Sequence, residues 1–383
     1  MHILIAPNAF KHAVDAAAAA VAIERGLVAS QLTCTTECFP IGDGGNGTCD
    51  LIIERMQGER VVVPVVDPLG RSITAVFGLV ADGQIAVIEM ADASGLHLLT
   101  PNELDPLQAN SYGTGQLIKA ALDKGVRKVV VGMGGSATVD GGSGMLRALG
   151  ARFLDGEGNE ITALPVGLAA LRSIDLSGLD RRLQEVELTV LCDVENPLIG
   201  ETGAAHVFGP QKGASPDQVE QLAGVLIHYA EVVRATTGVD VSSCRSGGVA
   251  GGASAGLAGL AGAELVDGIA YFLDLTRFDE SLSKSHIVIT GEGSIDDQTL
   301  QGKGPYGVAS RAKRLGLPVI GLAGKIPVEI SSELAAYFDV LFAIGNCPMP
   351  LNEALASTTD NLIRTATQLG NLLAVCPAPH QQQ

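Results

Sequence analysis

The sequence predicts an α/β protein with two α/β domains, in which a doubly wound parallel-sheet domain of the Rossmann or flavodoxin-like type is interrupted by a second domain. Three observations lead to this fold class. The chain has 383 residues, whereas single hydrophobic cores stop growing near ~250–300 residues. Strand and helix patterns alternate along most of the chain. The strands near the C-terminus are apolar throughout, as parallel strands covered on both faces are.

Strand and helix patterns alternate over the first part of the chain, and this alternation stops near residue 60. The elements predicted before that point are the strand HILIA, an Ala-rich helix over 14–28, the strand TCTTECF, the glycine loop IGDGGNGT and a helix in CDLIIERM. Three apolar runs follow one another closely, which predicts an antiparallel meander with some hairpin character: RVVVPVV, SITAVFGLV and QIAVIEMA.

Alternation then resumes and continues to the C-terminal helix. The predicted elements are a helix over 113–124, strand 127–131, a helix over 143–149, strand 151–154, a longer helix over 216–236, and the strands HIVIT, PVIGLAG and VLFAIG with helices between them. We therefore predict that residues 1–60 and 285–383 form one discontinuous doubly wound domain that binds nucleotide or substrate. Residues 61–284 are predicted to form the inserted α/β domain, which has some antiparallel strands and carries a Gly-rich phosphate loop.

Composition and charge exclude several classes of protein. The formal net charge is −17, which argues against binding to nucleic acid or to an anionic membrane. No run approaches the ~20 apolar residues of a membrane span, and the opening strand is too short for the hydrophobic region of a secretory signal. The seven cysteines are scattered, which favours reduced thiols and a cytoplasmic location. A homo-oligomer is compatible with the sequence, which does not set the oligomeric state.

The stretch RKVVVGMGGSATVDGGSGM is an apolar strand that runs directly into glycines. Ligands of α/β proteins bind beyond the carboxyl ends of parallel strands, and successive backbone N–H groups there form a nest for anions. Close packing of a helix against a strand also selects glycine, but so many glycines beside hydroxyls and an acid favour a phosphate loop. The residues predicted to hold nucleotide phosphates are Gly134, Gly135, Ser136, Thr138, Gly141 and Gly142.

The same stretch fits a second class of protein. Gly132, Gly134 and Ala137 match the dinucleotide pattern G-x-G-x-x-G/A, and Asp155 lies near the expected ribose-binding position. This pattern makes a nicotinamide-dependent dehydrogenase a competing interpretation. Against it, VDGG falls where the helix that binds the pyrophosphate should already be running, and glycine is a poor helix former.

Other loops repeat the arrangement of a strand end, glycines and an acid. They contain Asp43 in FPIGDGGNGT, Asp193 in VLCDVENPLIG, and Glu292, Asp296 and Lys303 in VITGEGSIDDQTLQGK. Lys11 lies just beyond the first strand, in APNAFKHAV. Each of these acids taken alone could be a solvated loop residue, but together they suggest one cleft wall. Carboxylates, lysines and N–H nests suit phosphoryl transfer from a magnesium nucleotide.

At these residues the chain resembles the bacterial type of glycerate kinase, and the resemblance extends along nearly the whole sequence. The segments that carry it are APNAFK, DGGNGT, IEMADASGLHLL, SYGTGQLIKAALDKG, GMGGSATVDGGSGMLRALGARFLD, CDVENPL, GAAHVFGPQKGA and ITGEGSIDDQTLQGKGPYGVA. The resemblance implies ATP-dependent phosphorylation of D-glycerate, a Mg²⁺ ion, and two α/β domains with the cleft between them.

The chain departs from the usual pattern of that family at several polar positions. Asn8, Ala9, His12 and Ala13 stand where Asp, Ser, Gly and Ser are usual. Asn46 replaces a usual Glu, Val139 a usual Asn, and Ser294 a usual Arg. The acids and lysines named above remain, so phosphoryl transfer is expected while the acceptor stays open.

The predicted function is therefore ATP-dependent phosphorylation of D-glycerate, with 2-phosphoglycerate as product. Asp43 or Asp193 is expected to take or orient the hydroxyl proton, and Lys11 to bind the substrate carboxylate or a phosphate oxygen. Residues 134–142, Glu292 and Lys303 are expected to bind ATP, and Asp140 and Asp296 to reach Mg²⁺. The alternatives are a kinase for another small hydroxy acid, the dehydrogenase, and a ligand-binding paralogue without catalysis.

Overall fold

The structure, a computed structural model, describes residues 1–375. These residues form thirteen strands, numbered β1 to β13 in chain order: His2–Pro7, Thr35–Cys38, Glu59–Val66, Ser72–Val80, Ile85–Glu89, Lys128–Gly132, Arg152–Leu154, Ser173–Asp175, Glu187–Cys192, Glu264–Asp267, Ile287–Ser294, Val319–Lys325 and Val340–Ala343.

The described residues also form fourteen α-helices, α1 to α14: Ala16–Val28, Thr48–Arg55, Ala91–Ser94, Tyr112–Asp123, Ser143–Ala148, Ala204–Phe208, Pro216–Thr237, Val249–Ala261, Gly268–Leu275, Phe278–Leu282, Gly304–Arg314, Ser332–Tyr337, Leu351–Ala356 and Thr358–Val375. Short 3-10 turns include Pro210–Lys212 and Asp297–Gln301. Among residues 1–375, no helix has the length and apolar character needed to cross a bilayer.

The chain divides into two compact units. Unit 1 consists of Met1–Asp43 and Ile269–Gln383, and its sheet has the order β13-β12-β11-β1-β2 with every neighbouring pair parallel. Numbered within this unit, that order is the flavodoxin-like 2-1-3-4-5, whose topological switch point lies between the first and third strands. The predicted doubly wound parallel sheet is confirmed.

Unit 1 has a close-packed helical layer on one face of this sheet. Ile3 and Ile5 of β1 share a buried cluster with Ile23 and Leu27 of α1 and with α14. Gly26 permits α1 to approach α14, because a Cβ there would lie 2.4 Å from the carbonyl oxygen of Ile363. This packing holds α1 and α14 together against one face of the sheet.

Unit 2, Gly44–Gly268, has a six-stranded sheet with the order β10-β9-β6-β5-β4-β3. The pairs β3–β4 and β4–β5 are antiparallel, and β5, β6, β9 and β10 run parallel. The predicted meander and the mixed character of the inserted domain are therefore confirmed. Strand 151–154 appears as β7, which pairs with β8 in a separate two-stranded sheet.

The two units meet in sequence at 43/44 and 268/269, whereas the sequence placed the boundaries after residues 60 and 284. The first shift follows from α2, because Ile53 packs against β4 of unit 2, where a Cβ on Gly78 would lie 2.2 Å from its Cγ1. The second follows from α10, because Phe278 meets the ring of Phe39 edge-on at 4.9 Å within unit 1.

The Gly/Ala-rich stretch before β10 forms α8, which has left-handed backbone at residues 250–252. Gly251 has a φ of +68°, and a Cβ there would lie 2.0 Å from the carbonyl oxygen of Thr138. Its own carbonyl accepts a hydrogen bond from the backbone N–H of Gly141 at 3.0 Å. Gly251 therefore fixes the Gly-rich loop through both conformation and close approach.

We expect Gly251→Ala to lower the free energy of unfolding by about 3 kcal/mol or more, because a strained φ and an overpacked contact add together. Gly238→Ala is the matched control, since Gly238 has a φ of +79° with nothing within 4 Å of a Cβ. That variant should lose only about 1 kcal/mol. Urea unfolding of both variants measures the difference, and equal losses would contradict the contact between Gly251 and Thr138.

Candidate active site

The carboxyl edge of the unit 1 sheet gathers polar side chains at its topological switch point. Asn8 follows β1, Asp43 follows the loop after β2, and Glu292 lies near the end of β11, the neighbour of β1. Lys303 is the N-cap residue of α11. Doubly wound proteins bind their ligands in this place.

Asn8 and Asp43 form the hydrogen bond at the centre of this cluster. The Asn8 Nδ2 donates to Asp43 Oδ2 at 2.7 Å, and the Asn8 Oδ1 accepts from the backbone N–H of Ala9 at 2.8 Å. The Ala9 contact fixes which end of the amide faces Asp43. Asn8 is buried, and a Cβ on Gly304 would lie 2.8 Å from its Nδ2. The amide is therefore held rigidly and orients the half-exposed Asp43 carboxylate.

Glu292 is the buried acid of the cluster. Burial raises the pKa of Glu292 to about 7, while the positive charge of Lys303, a hydrogen bond from Thr299 and the charge of Lys11 act in the opposite direction. The negative charge of Asp43 adds to the increase. A carboxyl group with this pKa changes its charge near neutral pH, as acid–base groups of active sites do.

The segment after β11 is organised by Asp296. Its Oδ1 accepts from the backbone N–H of Gln298 at 3.0 Å, which caps the 3-10 turn Asp297–Gln301. The Thr299 hydroxyl accepts from the backbone N–H of Asp296 at 3.1 Å and donates to Glu292 Oε1 at 3.1 Å. Asp296, Thr299 and Glu292 are thus linked, and the turn leads directly to Lys303.

In unit 2, Asp140 lies inside the Gly-rich loop and is fully buried. Its Oδ2 accepts from the backbone N–H and hydroxyl of Ser111, at 2.9 and 2.7 Å, and from the N–H of Gly144 at 3.0 Å. Its Oδ1 accepts from the N–H of Gly142 at 3.1 Å. A carboxylate satisfied by four donors holds the loop to the start of α4, an arrangement that favours a structural role for Asp140.

The glycines of this loop are explained in large part by close packing within unit 2. A Cβ on Gly134 would lie 2.5 Å from the Asn46 nitrogen, and one on Gly135 2.3 Å from Asn46 Oδ1. A Cβ on Gly141 would meet the ring of Tyr229 at 2.7 Å. Gly134 and Gly135 are half-buried, whereas Ser136, Thr138, Gly141 and Gly142 are buried. The part of the loop that reaches the surface is therefore 134–135.

The interior of this loop is polar. Three fully buried hydroxyl oxygens have no hydrogen-bond partner within the described part of the chain: Thr138 Oγ1, Ser143 Oγ and Tyr229 Oη. An unsatisfied buried hydroxyl costs about 1–3 kcal/mol. Chains retain such costs most often at functional sites.

The buried side chain of Lys212, which the sequence did not single out, supports the loop from below. Its Nζ donates to Ser136 Oγ at 2.9 Å and to the carbonyl oxygen of Thr138 at 2.8 Å. Burial lowers the pKa of Lys212 to about 7, and the negative charge of Asp140 acts in the opposite direction. The segment GPQKGA looks like a surface turn, because glycine and proline surround a single charged residue.

Glu89 was also missed, although it ends an apolar strand as the other acids do. It closes β5, and its carboxylate accepts from the backbone N–H of Gly47 at 2.6 Å and of Cys49 at 3.4 Å, which caps the start of α2. Burial raises its pKa to about 7, opposed by the hydrogen bond from Gly47, while the charge of Asp92 adds to the increase.

This raised pKa predicts a pH dependence of stability. The folded protein binds more protons at Glu89 than the unfolded chain does, from the usual pKa of 4.5 up to about 7. Ionisation of the buried carboxyl therefore reduces stability progressively as the pH rises through that window. Relative to Glu89→Gln, the wild type should lose on the order of 1–3 kcal/mol between about pH 5 and about pH 8.

Urea unfolding at several pH values checks this expectation, with Glu54→Gln as control because that glutamate is exposed on α2, the helix whose start Glu89 caps. A constant difference between wild type and Glu89→Gln across the window would show that Glu89 is ionised at no cost.

Asp193 follows β9 and is half-exposed. It lies at the same carboxyl edge of the unit 2 sheet as the Gly-rich loop, which follows the parallel neighbour β6. Gly44 contacts this edge, since a Cβ there would lie 3.1 Å from the carbonyl oxygen of Leu191. Asp155 lies instead in an exposed turn, where it accepts from the backbone N–H groups of Glu157 and Asn159 at 2.9 Å. The structure gives Asp155 a turn-forming role, which does not support the dehydrogenase pattern.

The predicted site residues thus fall into two groups. Unit 1 brings together Lys11, Asp43, Glu292, Asp296 and Lys303, and unit 2 holds Asp193 with the Gly-rich loop. Among residues 1–375 no three His, Cys, Asp or Glu side chains form a cluster that could hold a metal ion. Mg²⁺ is usually bound by one or two carboxylates plus substrate phosphates, a mode that needs no such cluster.

A flavodoxin-like sheet with carboxylates and lysines at its switch point is typical of α/β proteins that bind a ligand there. The sequence model of the Glycerate kinase family matches residues 3–374. The chain belongs to the glycerate kinase family and is a kinase, as the resemblance predicted.

Curated relatives and a solved structure agree with this assignment. The glycerate kinase of Halalkalibacterium halodurans is 44% identical over 366 residues, covering 96% of each chain. The glycerate 2-kinase of Escherichia coli strain K12 is 42% identical over 379 residues, covering 98% of each. The crystal structure of a protein from Salmonella typhimurium LT2 assigned as glycerate kinase 2 has a TM-score of 0.83 and 43% identity, covering 97% of this chain and 98% of that one.

Proposed function

We propose that this kinase transfers the γ-phosphoryl group of ATP to D-glycerate and releases 2-phosphoglycerate and ADP. The observation that carries the proposal is the switch-point cluster of unit 1, in which a rigid Asn8 amide orients the Asp43 carboxylate beside Glu292, Lys303 and Lys11. A carboxylate aimed by a fixed donor suits a hydroxyl acceptor, and the two lysines suit anionic groups, either a carboxylate or a phosphate. The names of the relatives support the same substrate.

In the reaction, an oxygen of the acceptor hydroxyl forms a bond to the γ-phosphorus while the bond from that phosphorus to the β–γ bridging oxygen breaks. The hydroxyl proton passes to a carboxylate, for which we propose Asp43, with Asp193 as the alternative. Lys11, which is exposed beyond β1, is proposed to bind the substrate carboxylate or a phosphate oxygen. Most of the catalysis is positioning and neutralisation of charge.

For the nucleotide, we propose that Gly134, Gly135 and Ser136 of unit 2 contact phosphate. The assignment of Lys303 and Glu292 to the nucleotide stays a prediction from the sequence. Thr138, Gly141 and Gly142 are buried, so their proposed contribution is to hold the loop in shape. Mg²⁺ would neutralise phosphate charge, and Asp296 is the better candidate ligand of the two predicted. Asp140 is proposed as an organiser of the loop, since donors surround both of its oxygens.

Another small hydroxy acid is the second candidate acceptor, and one observation favours it. The residue that contacts Asp43 is an amide rather than the carboxylate usual in the family. The site therefore has one more hydrogen-bond donor and one negative charge fewer for the substrate that receives the phosphoryl group. A less negative site tolerates a more anionic or a differently placed hydroxyl group.

The test is a coupled assay of ADP release with ATP, Mg²⁺ and a panel of hydroxy acids that includes D-glycerate, L-glycerate, glycolate and D-lactate. We expect Mg²⁺-dependent turnover, with the highest kcat/KM for D-glycerate. A higher kcat/KM for another acid would reassign the acceptor. Binding of NADH without ADP release would favour the dehydrogenase, and binding of ATP and glycerate without turnover would favour the non-catalytic paralogue.

A further inference from the structure

Lys212 is a buried cation that the proposed reaction has not used. Its side chain is 2% exposed, and both of its hydrogen bonds go to the Gly-rich loop, to Ser136 Oγ and to the carbonyl of Thr138. Lys212 itself comes from the short turn Pro210–Lys212, 74 residues beyond Thr138. A long-range contact therefore places this amine directly behind the predicted phosphate loop.

The burial of this amine is costly. In the described part of the chain no carboxylate forms an ion pair with Lys212, and Asp140 acts on it only electrostatically. Desolvation of a buried ion is strongly unfavourable. A neutral donor such as glutamine could satisfy Ser136 and Thr138 at a lower cost. The charge itself is therefore the property that needs an explanation.

The hydrogen bonding supplies one. A lysine ammonium has donors and no acceptor, whereas a serine hydroxyl has one donor and two acceptor positions. Since Lys212 donates to Ser136 Oγ, the hydroxyl hydrogen of Ser136 is directed to a different partner. Ser136 directly follows Gly134 and Gly135, the part of the loop that reaches the surface. The Ser136 hydroxyl therefore has a hydrogen to donate, next to the part of the loop that reaches the surface.

We propose that Lys212 is the positioning residue of the nucleotide phosphate site, which orients the Ser136 hydroxyl toward a phosphate oxygen and places a positive charge beneath it. The inference rests on the proposed function, in which this loop binds ATP. It concerns the binding of phosphate by the Gly-rich loop of unit 2. The hydroxy acid is a separate matter, for which we propose the unit 1 cluster. The low pKa of the amine fits this role, because an approaching phosphate dianion favours the charged form.

The experiment compares Lys212→Met, Ser136→Ala, the double variant and the control Lys124→Met, whose lysine is exposed on unit 2. Isothermal titration calorimetry gives the Kd of ADP, and steady-state kinetics give kcat and the KM values of ATP and the hydroxy acid. We expect Lys212→Met and Ser136→Ala each to raise the ADP Kd and the ATP KM about 10-fold, as the loss of a charged hydrogen bond does. The hydroxy-acid KM should change by less than about twofold.

The double variant should bind ADP about as weakly as Lys212→Met alone, because Lys212 acts through Ser136. Circular dichroism confirms that each variant is folded. The proposal is overturned by additive effects, by an unchanged ADP Kd in folded Lys212→Met, or by equal increases in both KM values. Should Lys212→Met not fold, Ser136→Ala decides alone, and an unchanged ADP Kd in that variant overturns the proposal.

These outcomes are separable from a failure of the proposed function. ADP binding is measured without turnover, so a wild type that binds ADP but phosphorylates no hydroxy acid refutes the function and still tests Lys212. A wild type that phosphorylates D-glycerate with kinetics insensitive to both substitutions refutes Lys212 and leaves the function intact.

Discussion

Asp43→Asn should lower kcat with the hydroxy-acid substrate by at least about 10²-fold, the contribution typical of a general base. The substitution keeps the size of the side chain and removes its charge, so the Asn8 amide would face a second amide in place of a carboxylate 2.7 Å away. The fold should persist, because Asp43 is half-exposed in a loop. Steady-state kinetics together with thermal unfolding check both expectations.

Two further variants give this result its meaning. Asp360→Asn is the matched control, since Asp360 is exposed on α14 of the same unit, and its kcat should equal that of the wild type. Asp193→Asn tests the alternative base. If Asp193→Asn loses about 10²-fold while Asp43→Asn does not, the base is Asp193 and the role proposed for Asp43 is wrong.

Glu292→Gln should lower kcat/KM by at least about 10-fold at neutral pH and remove a pH dependence that the wild type shows. Burial raises the pKa of Glu292 to about 7, so in the wild type the carboxyl loses its charge as the pH falls through that value. If the ionised form is needed beside Lys303 and Lys11, the wild-type kcat/KM rises with pH and levels off above about 7.

The pH profile of kcat/KM separates this role from a structural one. Glutamine keeps an oxygen for the Thr299 hydroxyl and cannot titrate, so the variant profile should be flat in this region. A variant profile with the same inflection as the wild type would assign the titration to another group and contradict the role of Glu292.

The fold was largely predictable because its signals are local. The apolar strands of unit 1 indicated a parallel sheet, and the three runs after residue 60 indicated the meander. The domain boundaries were less accessible, because α2 and α10 are amphipathic helices whose partners are set by tertiary contacts such as those of Ile53 and Phe278. The local sequence of an amphipathic helix does not indicate which of two sheets the helix packs against.

Some residues of the candidate site were predictable from local patterns, and others were not. Strand ends with glycine and an acid led to Asp43, Glu292 and Asp193. Glu89 also ends an apolar strand, but no glycine follows it closely, so the pattern passed over it. The hydrogen bonds inside the Gly-rich loop could not be predicted, because they join residues that are distant in sequence. Ser111 donates to Asp140, and Lys212 donates to Ser136 from a distant turn. Sequence adjacency made Asp140 resemble a metal ligand, whereas its hydrogen bonds favour a structural role.

The most direct measurement of the central claim is phosphorus NMR of a reaction that contains the wild type, ATP, Mg²⁺ and D-glycerate. We predict that the γ-phosphate resonance of ATP is replaced by those of ADP and of a phosphate ester of a secondary alcohol, 2-phosphoglycerate. The Asp43→Asn variant should leave the ATP spectrum nearly unchanged over the same time. Formation of 3-phosphoglycerate would contradict the proposed product, and an unchanged ATP spectrum with folded wild type would contradict phosphoryl transfer to D-glycerate itself.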